Sequence, residues 1–387
     1  MRIATLFSGI GAPEQAGLRL GYESVFACEW DKYARQSFLA NYDLDEEHFH
    51  KDVYDLDATV YRGKVDILIG GSPCQAFSIA GLRKGLNDKR GELIYEYIRV
   101  VDEVRSPYIV YENVKGMMSV DKGRTIKEFV QALRDIGYHC HYSVINSKDY
   151  GIPQNRERLF LVGFLDVEQY HAFSFAPKVK LVKRLKDVLE SEVDEKYYLS
   201  QKMIDSFHNT TFNQAKDRLQ TKDISDTILA RDYKDPKLVN VVGMLNINAN
   251  EQCKRVYGVY GVYGVSPTLS TMQGGYREPK IFEDITDGVR FFKDGCCGAL
   301  RTSSECGDKR VLEPCKHLTD DYRIRKLTPR ECLRLQDFPD TFKQVVSDSQ
   351  LYKQAGNSMT VAVLEMIFRQ IEKARSKEMG GLFGSVA

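Results

Sequence analysis

Six short apolar runs fall within the first 165 residues, at 3–7, 24–28, 65–69, 108–111, 141–145 and 159–164. Segments of helical period such as 93–104 and 125–136 lie between several of them. Parallel strands need long crossovers, and helices are what usually fill them. The alternation therefore predicts an α/β fold built on a doubly wound, Rossmann-like sheet. In such sheets ligands sit outside the carboxyl ends of the strands, so the residues that follow each run are the first candidates for function.

From about residue 168 to about 320 the texture becomes polar, punctuated by glycine and poorly periodic, which predicts a second lobe or a large insertion. Two related stretches, TILARDYKDPKL (227–238) and TLSTMQGGYREPKI (268–281), with a fainter GALRTSSECGDKRV (298–311), suggest loop–strand units there. YGVYGVYGV (257–265) is a local tandem. These copies fall far below the regularity of a solenoid. Helical spacing returns at Val361, Leu364, Ile367 and Ile371, so the chain is expected to come back and finish the first lobe.

At 387 residues, 43% hydrophobic and 28% charged, the chain carries no disordered or fibrous signature. The N-terminal MRIATLFSGIGAPE lacks the apolar core of a secretory signal. No run approaches the roughly 18 apolar residues of a membrane span. Nine cysteines, scattered and odd in number, favour reduced thiols and a cytoplasmic location. A net charge of +1 neither supports nor opposes nucleic acid as a partner, because phosphate contacts need local rather than global basicity.

LFSGIGAPEQAG (6–17) follows the first run, and its spacing is G-x-G-x5-G. That differs from the G-x-G-x-x-G that seats a dinucleotide pyrophosphate, and it disfavours a nicotinamide oxidoreductase. Glu29, after the second run, stands where a carboxylate commonly holds ribose hydroxyls. Trp30 offers a face for stacking on a purine, and Asp52 a carboxylate for its amino group. Taken singly, each acidic residue is more often a solvated surface group.

DILIGGSPCQAFSIAG (66–81) puts Cys74 just past the third run, behind Gly70, Gly71 and Pro73. Proline fixes its own backbone and biases Ser72 toward an extended form, so the thiol sits on a stiffened turn. The ordinary alternative is a buried structural cysteine; the glycines and the proline favour a nucleophile. Glu112, in VYENV, ends the next run and should open onto the same edge. A carboxyl there would be a proton donor, or else an ion-pair partner for an arginine of QNRER (154–158).

LFSGIG, GGSPCQAFS, ENV, QNRER, RKLTPRECLRLQDFP and QAGNSMTVAV, in that order, resemble the motif series of the DNA (cytosine-5)-methyltransferases, of prokaryotic or phage type. The match covers residues 1–165 and about 323–375, with one departure at Ser72, where many members have a second proline. The resemblance implies an S-adenosylmethionine-dependent methyltransferase sheet. Phe7, Gly9, Gly11, Glu29, Trp30, Asp52, Pro73, Asn357 and Ser358 stand at the positions that match its cofactor site. It implies a catalytic domain of 1–185 plus 350–387 and a smaller target-recognition domain of 186–349. Within the latter, 251–275 resembles the recognition element, with Gln252 and Thr268 facing DNA. Double-stranded DNA is the implied partner of an expected monomer, and the resemblance allows a cognate restriction endonuclease sharing the target sequence.

The chemistry implied is addition of Cys74 to cytosine C6, with Glu112 at N3, Arg158 at O2 and Arg156 organising the pocket. The base must leave the duplex stack, and SIAGLRKGLNDKRG (78–91) is expected to be a mobile loop that closes over it. Cys296, Cys297, Cys306, Cys315 and His317 lack the paired spacing of structural zinc, so no metal is expected. A tRNA cytosine methyltransferase would share every catalytic motif, and a non-catalytic DNA-binding relative would need a damaged one.

Overall fold

The computed structural model describes residues 1–72, 92–198, 259–261, 266–267, 280–284 and 322–383. The first part of the chain runs β1 (Arg2–Leu6), α1 (Ala12–Arg19), β2 (Glu23–Cys28), α2 (Lys32–Asn41), β3 (Phe49–His50) and β4 (Ile67–Gly70). It continues with α3 (Glu92–Val104), β5 (Tyr108–Val114), α4 (Arg124–Asp135), β6 (His139–Asn146), β7 (Gln154–Asn155), β8 (Glu157–Phe164) and α5 (Val167–Ala172). Short strands β9 (Val259–Gly261), β10 (Ser266–Pro267), β11 (Lys280–Asp284) and β12 (Tyr322–Lys326) follow. Helices α6 (Pro329–Leu335), α7 (Asp348–Asn357) and α8 (Val361–Phe383) complete the described chain.

Seven strands form one sheet in the order β3-β2-β1-β4-β5-β8-β6. The five from β3 to β5 are parallel, and β8 runs antiparallel to both β5 and β6. The order reverses between β1 and β4, so the loops leaving those strands diverge and open a crevice at the carboxyl edge.

Side-chain alternation explains why this sheet is buried on both faces. Ile3, Ile67, Ile69, Val110, Phe160 and Val162 join one cluster, and Ala4, Leu68, Ile109, Tyr111, Leu159 and Leu161 join the other. The second face is covered by α3 and α4; in α4 the apolar positions Ile126, Phe129, Val130 and Leu133 fall on one stripe, and all four are buried.

The first face is closed by the end of the chain. Val361, Leu364, Ile367, Phe368 and Ile371 share a cluster with Ile3, Ala16 and Tyr22, and the Tyr22 and Phe368 ring centroids are 5.7 Å apart. Leu327, Cys332, Leu333, Leu335, Phe338 and Phe342 belong to the same cluster, although they lie inside the span expected for the smaller lobe. Their apolar spacing puts them on the buried side of α6 and the turn after it. Leu185 and Val188 also reach this core. Of the middle region, β9, β11 and β12 form a three-stranded sheet and β10 pairs with β7. The cysteine and histidine cluster at 296–317, most of the near-repeats and the segment 78–91 lie outside the described residues.

Where β12 meets α6, Arg325 makes a two-pronged pair with Glu331 at 2.8 and 2.9 Å, both side chains fully buried. Glu331 also accepts from the backbone nitrogens of Thr328 and Glu190, at 2.8 Å each. A buried ion pair is tolerated only with its remaining valences satisfied. Here the same carboxylate ties the outgoing chain at 190 to the returning chain at 328.

Glu14, in the first turn of α1, is 1% exposed, and its Oε1 accepts from the Thr5 hydroxyl at 2.5 Å. Burial pushes its carboxyl up from the ordinary 4.5 to about 7, against the pull of that hydrogen bond. A carboxyl that holds its proton more tightly when folded favours folding fully below its unfolded pKa, and the advantage is lost as pH rises through the folded one. Wild-type unfolding free energy should therefore fall, relative to Glu14→Gln, by about 3 kcal/mol between pH 4 and pH 8. Urea titrations of both proteins across that range check it; parallel curves would mean that folding leaves the Glu14 pKa unshifted.

Candidate active site

The crevice begins at the loop between β1 and α1. Phe7, Gly9 and Gly11 all adopt positive φ, at 55°, 57° and 84°. At Gly11 the reason is contact, because a Cβ would lie 2.2 Å from the Tyr42 ring. At Gly9 a Cβ would meet nothing within 4 Å, so the loop faces open space. Ser8 fixes the loop from below: its Oγ accepts from the Cys28 backbone nitrogen at 3.1 Å, and its own nitrogen donates to the Cys28 carbonyl at 3.0 Å.

Glu29 stands at the carboxyl end of β2 and spans this loop and the next. Its two oxygens accept from the Gly9 nitrogen at 2.8 Å and the Asp31 nitrogen at 2.7 Å. Burial raises its pKa above the usual carboxylate value. Asp52 is half-buried just past β3, and its Oδ1 accepts from the Tyr54 nitrogen at 3.1 Å. Trp30 is 63% exposed, with the Lys51 ammonium 5.0 Å from its ring centroid. A flat exposed ring beside two carboxylates and a glycine loop offers a stacking face and acceptors for hydroxyl or amino donors.

Asn357 and Ser358 reach this corner because α7 docks on α2. Lys353 pairs with Asp31 at 2.6 Å, and Ser37 donates to Gln354 at 3.0 Å. Asn357 is exposed and Ser358 is buried. Arg156 holds the turn they form: its guanidinium, in a residue only 2% exposed, donates to the carbonyls of Gly356 and Ser358 at 3.2 and 2.8 Å. Arg156 therefore ties the QNRER segment to the end of α7.

On the other side of the crevice, Glu112 and Arg158 meet. Val114 of β5 is opposite Arg158 of β8, which puts Glu112 on the same face, one diagonal step away. Arg158 Nε lies 3.2 Å from Glu112 Oε1, with the side chains 14% and 12% exposed. Arg158 Nη1 donates to the Glu157 carbonyl at 2.9 Å. Burial pushes the Glu112 carboxyl up, while Arg158 and then Arg156 pull it down. The carboxyl thus keeps its proton to higher pH than a solvated glutamate would, a property suited to a general acid.

The second glycine of the GGS turn leaves room for this carboxyl. A Cβ at Gly71 would fall 2.9 Å from the Glu112 carbonyl, 3.1 Å from Met359 Cε and 3.2 Å from Glu112 Oε2. Pro73, Cys74, Gln252 and Thr268 lie outside the described residues. Their neighbours in sequence are placed: Gly71 and Ser72 pass beside Glu112, and Ser266 and Pro267 pair with Gln154 and Asn155 in the QNRER segment. The described cysteines, Cys28, Cys140 and Cys332, are buried. Burial pushes the thiols of Cys28 and Cys140 up to about 12, which makes them structural.

Four further residues, not singled out in the sequence, support the site. Arg35 of α2 donates to the carbonyls of His50 and Phe49 at 2.7 and 3.1 Å, with its guanidinium 4.2 Å from the Phe49 ring centroid, and so holds β3 and Asp52 against β2. Gln154, Gln336 and Thr360 knit three distant motifs. Gln154 donates to the Leu335 carbonyl, Gln336 to that of Ala355, and the Thr360 hydroxyl to Gln336 Oε1, each at 2.9 Å.

The family described as C-5 cytosine-specific DNA methylase matches residues 1–373. The chain is 34% identical to the orphan methyltransferase M.SPRI of Bacillus phage SPR, with 96% of this chain and 97% of the phage protein covered. It is 33% identical to the type II methyltransferase M.SsoII of Shigella sonnei, over 96% of this chain and 79% of that protein. Among solved structures, the Entamoeba histolytica methyltransferase EhMeth superposes with a TM-score of 0.64 over 96% of this chain and 97% of its own, at 15% identity, a likeness of fold.

Gly71→Ala should destabilise the protein by about 1–3 kcal/mol, the usual cost of forcing an extra methyl into a packed site. Two of the three atoms it would strike belong to the Glu112 strand position rather than to a pliable surface side chain. Denaturant midpoints of the two proteins measure the loss, and equal midpoints would show that the wall yields.

Proposed function

The chain belongs to the C-5 cytosine-specific DNA methylase family, and on that premise we propose that Cys74 is its nucleophile and S-adenosylmethionine its methyl donor. The observation that carries the assignment is the pairing of Glu112 with Arg158 beside Gly71, three residues before Cys74.

S-adenosylmethionine fits the corner around the first loop. Glu29 and Asp52 present acceptors, which suit ribose hydroxyls and an adenine amino group and would repel a pyrophosphate. Trp30 offers the stacking face, and the open side of Gly9 admits a ligand. Phe7, Gly11, Pro73, Asn357 and Ser358 would complete the enclosure. When bound, the cofactor supplies a methyl group activated by its sulfonium.

Cytosine C5 is too weak a nucleophile to take that methyl unaided. The Cys74 thiolate adds to C6, and Glu112 gives its proton to N3 as electron density moves onto the ring. Arg158 meets the charge at O2. C5 would then take the methyl that the bound cofactor supplies; water takes the C5 proton, N3 returns its proton to Glu112, and the C6–sulfur bond breaks to release the Cys74 thiolate and restore aromaticity. C6 is inaccessible within a duplex, so the base must be turned out at a cost of a few kcal/mol. On this reading the protein acts on duplex DNA as a cytoplasmic monomer. The middle lobe, with Gln252 and Thr268, would choose the sequence, one that a cognate endonuclease would share.

Duplex DNA with 5-fluorocytosine at the target cannot release its C5 substituent as a proton. The wild-type protein with S-adenosylmethionine should therefore form a denaturation-resistant adduct, and Cys74→Ser should form little or none. Methylation of ordinary DNA without an adduct on the fluorinated duplex would exclude covalent catalysis.

Glu112→Gln should lower kcat by on the order of a hundredfold or more while DNA binding survives. The alkaline limb of kcat/KM should follow the Glu112 carboxyl, with activity falling as pH rises through its pKa. Arg158→Met removes the charge that pulls this pKa down, so the limb should move to higher pH even as the rate drops. A limb that stays fixed would assign it to another group.

A further inference from the structure

Ser72 is the last described residue before Pro73 and Cys74. Its hydroxyl lies 2.6 Å from the Tyr111 hydroxyl, and its carbonyl accepts from Asn113 Nδ2 at 3.3 Å. Asn113 Nδ2 also donates to the Tyr111 oxygen at 2.9 Å, and Asn113 Oδ1 accepts from the Val114 nitrogen at 2.8 Å. Ser72, Tyr111 and Asn113 are 4%, 0% and 2% exposed.

The surroundings make this triangle hard to break. Tyr111 packs against Tyr97 and Phe129, with ring centroids 4.9 and 4.6 Å away, in the cluster beneath α3 and α4. Burial pushes its phenol up to about 12. A hydroxyl in that environment needs a partner, and leaving one unmet costs about 1–3 kcal/mol. If Ser72 drifted from β5, the buried Tyr111 hydroxyl would keep Asn113 as a donor and lose its contact with Ser72.

Successive residues of β5 point to opposite faces of the sheet. Glu112 therefore meets Arg158 on one face, while Tyr111 and Asn113 grip Ser72 from the other. Two residues of chain span at most about 7 Å, so pinning Ser72 confines the Cys74 backbone to that radius of a fixed point beside Glu112. We propose that Ser72 is a positioning residue, and that its hydrogen bond to Tyr111 sets the approach of the Cys74 loop to the strand carrying Glu112. The proposal rests on the role of Cys74 proposed above.

The test uses the full-length protein, S-adenosylmethionine and the 5-fluorocytosine duplex. Ser72→Ala and Tyr111→Phe should each slow adduct formation and kcat by on the order of ten- to hundredfold, the scale of a small misplacement of reacting groups. KM for S-adenosylmethionine should stay within about twofold, because the cofactor corner is built from other strands. The double variant should be no slower than the slower single one, since both remove the same bond. Circular-dichroism melts confirm folding, and Tyr111→Phe carries the test alone if Ser72→Ala does not fold.

Wild-type adduct rates in the singles, losses that multiply in the double, or a change confined to KM would overturn the role of Ser72. With the wild-type adduct present and Cys74→Ser blank, such a result leaves the nucleophile standing. A missing wild-type adduct overturns both proposals.

Discussion

The buried guanidinium of Arg156 is the interaction on which the catalytic edge depends. It lies between β7 and β8, in the N-terminal stretch of the chain, yet it satisfies the carbonyls of Gly356 and Ser358 two hundred residues later. Those carbonyls end α7, where a helix runs out of internal donors. The same junction is tightened by Gln154 on Leu335 and Gln336 on Ala355. These bonds join buried groups far apart in sequence, so the two parts of the chain must meet in one register for them to form. That register docks α7 on α2, through Lys353 on Asp31 and Ser37 on Gln354.

The crevice has two sides of different character. The β1–β2 side is a set of acceptors held open: the Glu29 and Asp52 carboxylates with an exposed Trp30 between them. On the β4–β5 side the buried Glu112 carboxyl is matched by Arg158 and shifted by burial. The separation of the two sides follows from the strand order. The reversal between β1 and β4 points the two loops apart.

The strand and helix alternation was legible because the longer strands are short apolar runs buried on both faces and a covering helix such as α4 carries an apolar stripe. The six runs in the sequence are the sheet strands, with edges that differ by one to three residues. The first run stops at Leu6 because Phe7 turns to positive φ. β3 was not legible, since two residues carry no period, and it exists because Arg35 holds its carbonyls. The antiparallel direction of β8 is likewise absent from periodicity. The ion pair considered as the alternative for Glu112 is present, and Arg158 of QNRER is its partner. The Ser72–Tyr111 bond could not be foreseen, because it joins residues 39 apart across strand ends. A departure from a familiar motif gave the position but not the partner.

Closure of the first sheet face by α8 has a consequence for how the protein is made. Ile3, Ala16 and Tyr22 leave the ribosome early, whereas Phe368, Ile371 and Ala374, which cover the same cluster, come near the end of the described chain. Until then one side of the nascent sheet is an uncovered greasy surface and the turn that Arg156 must hold does not exist. Folding of the catalytic edge therefore waits until that part of the chain has emerged, and until then the exposed apolar face is one that chaperones can grasp.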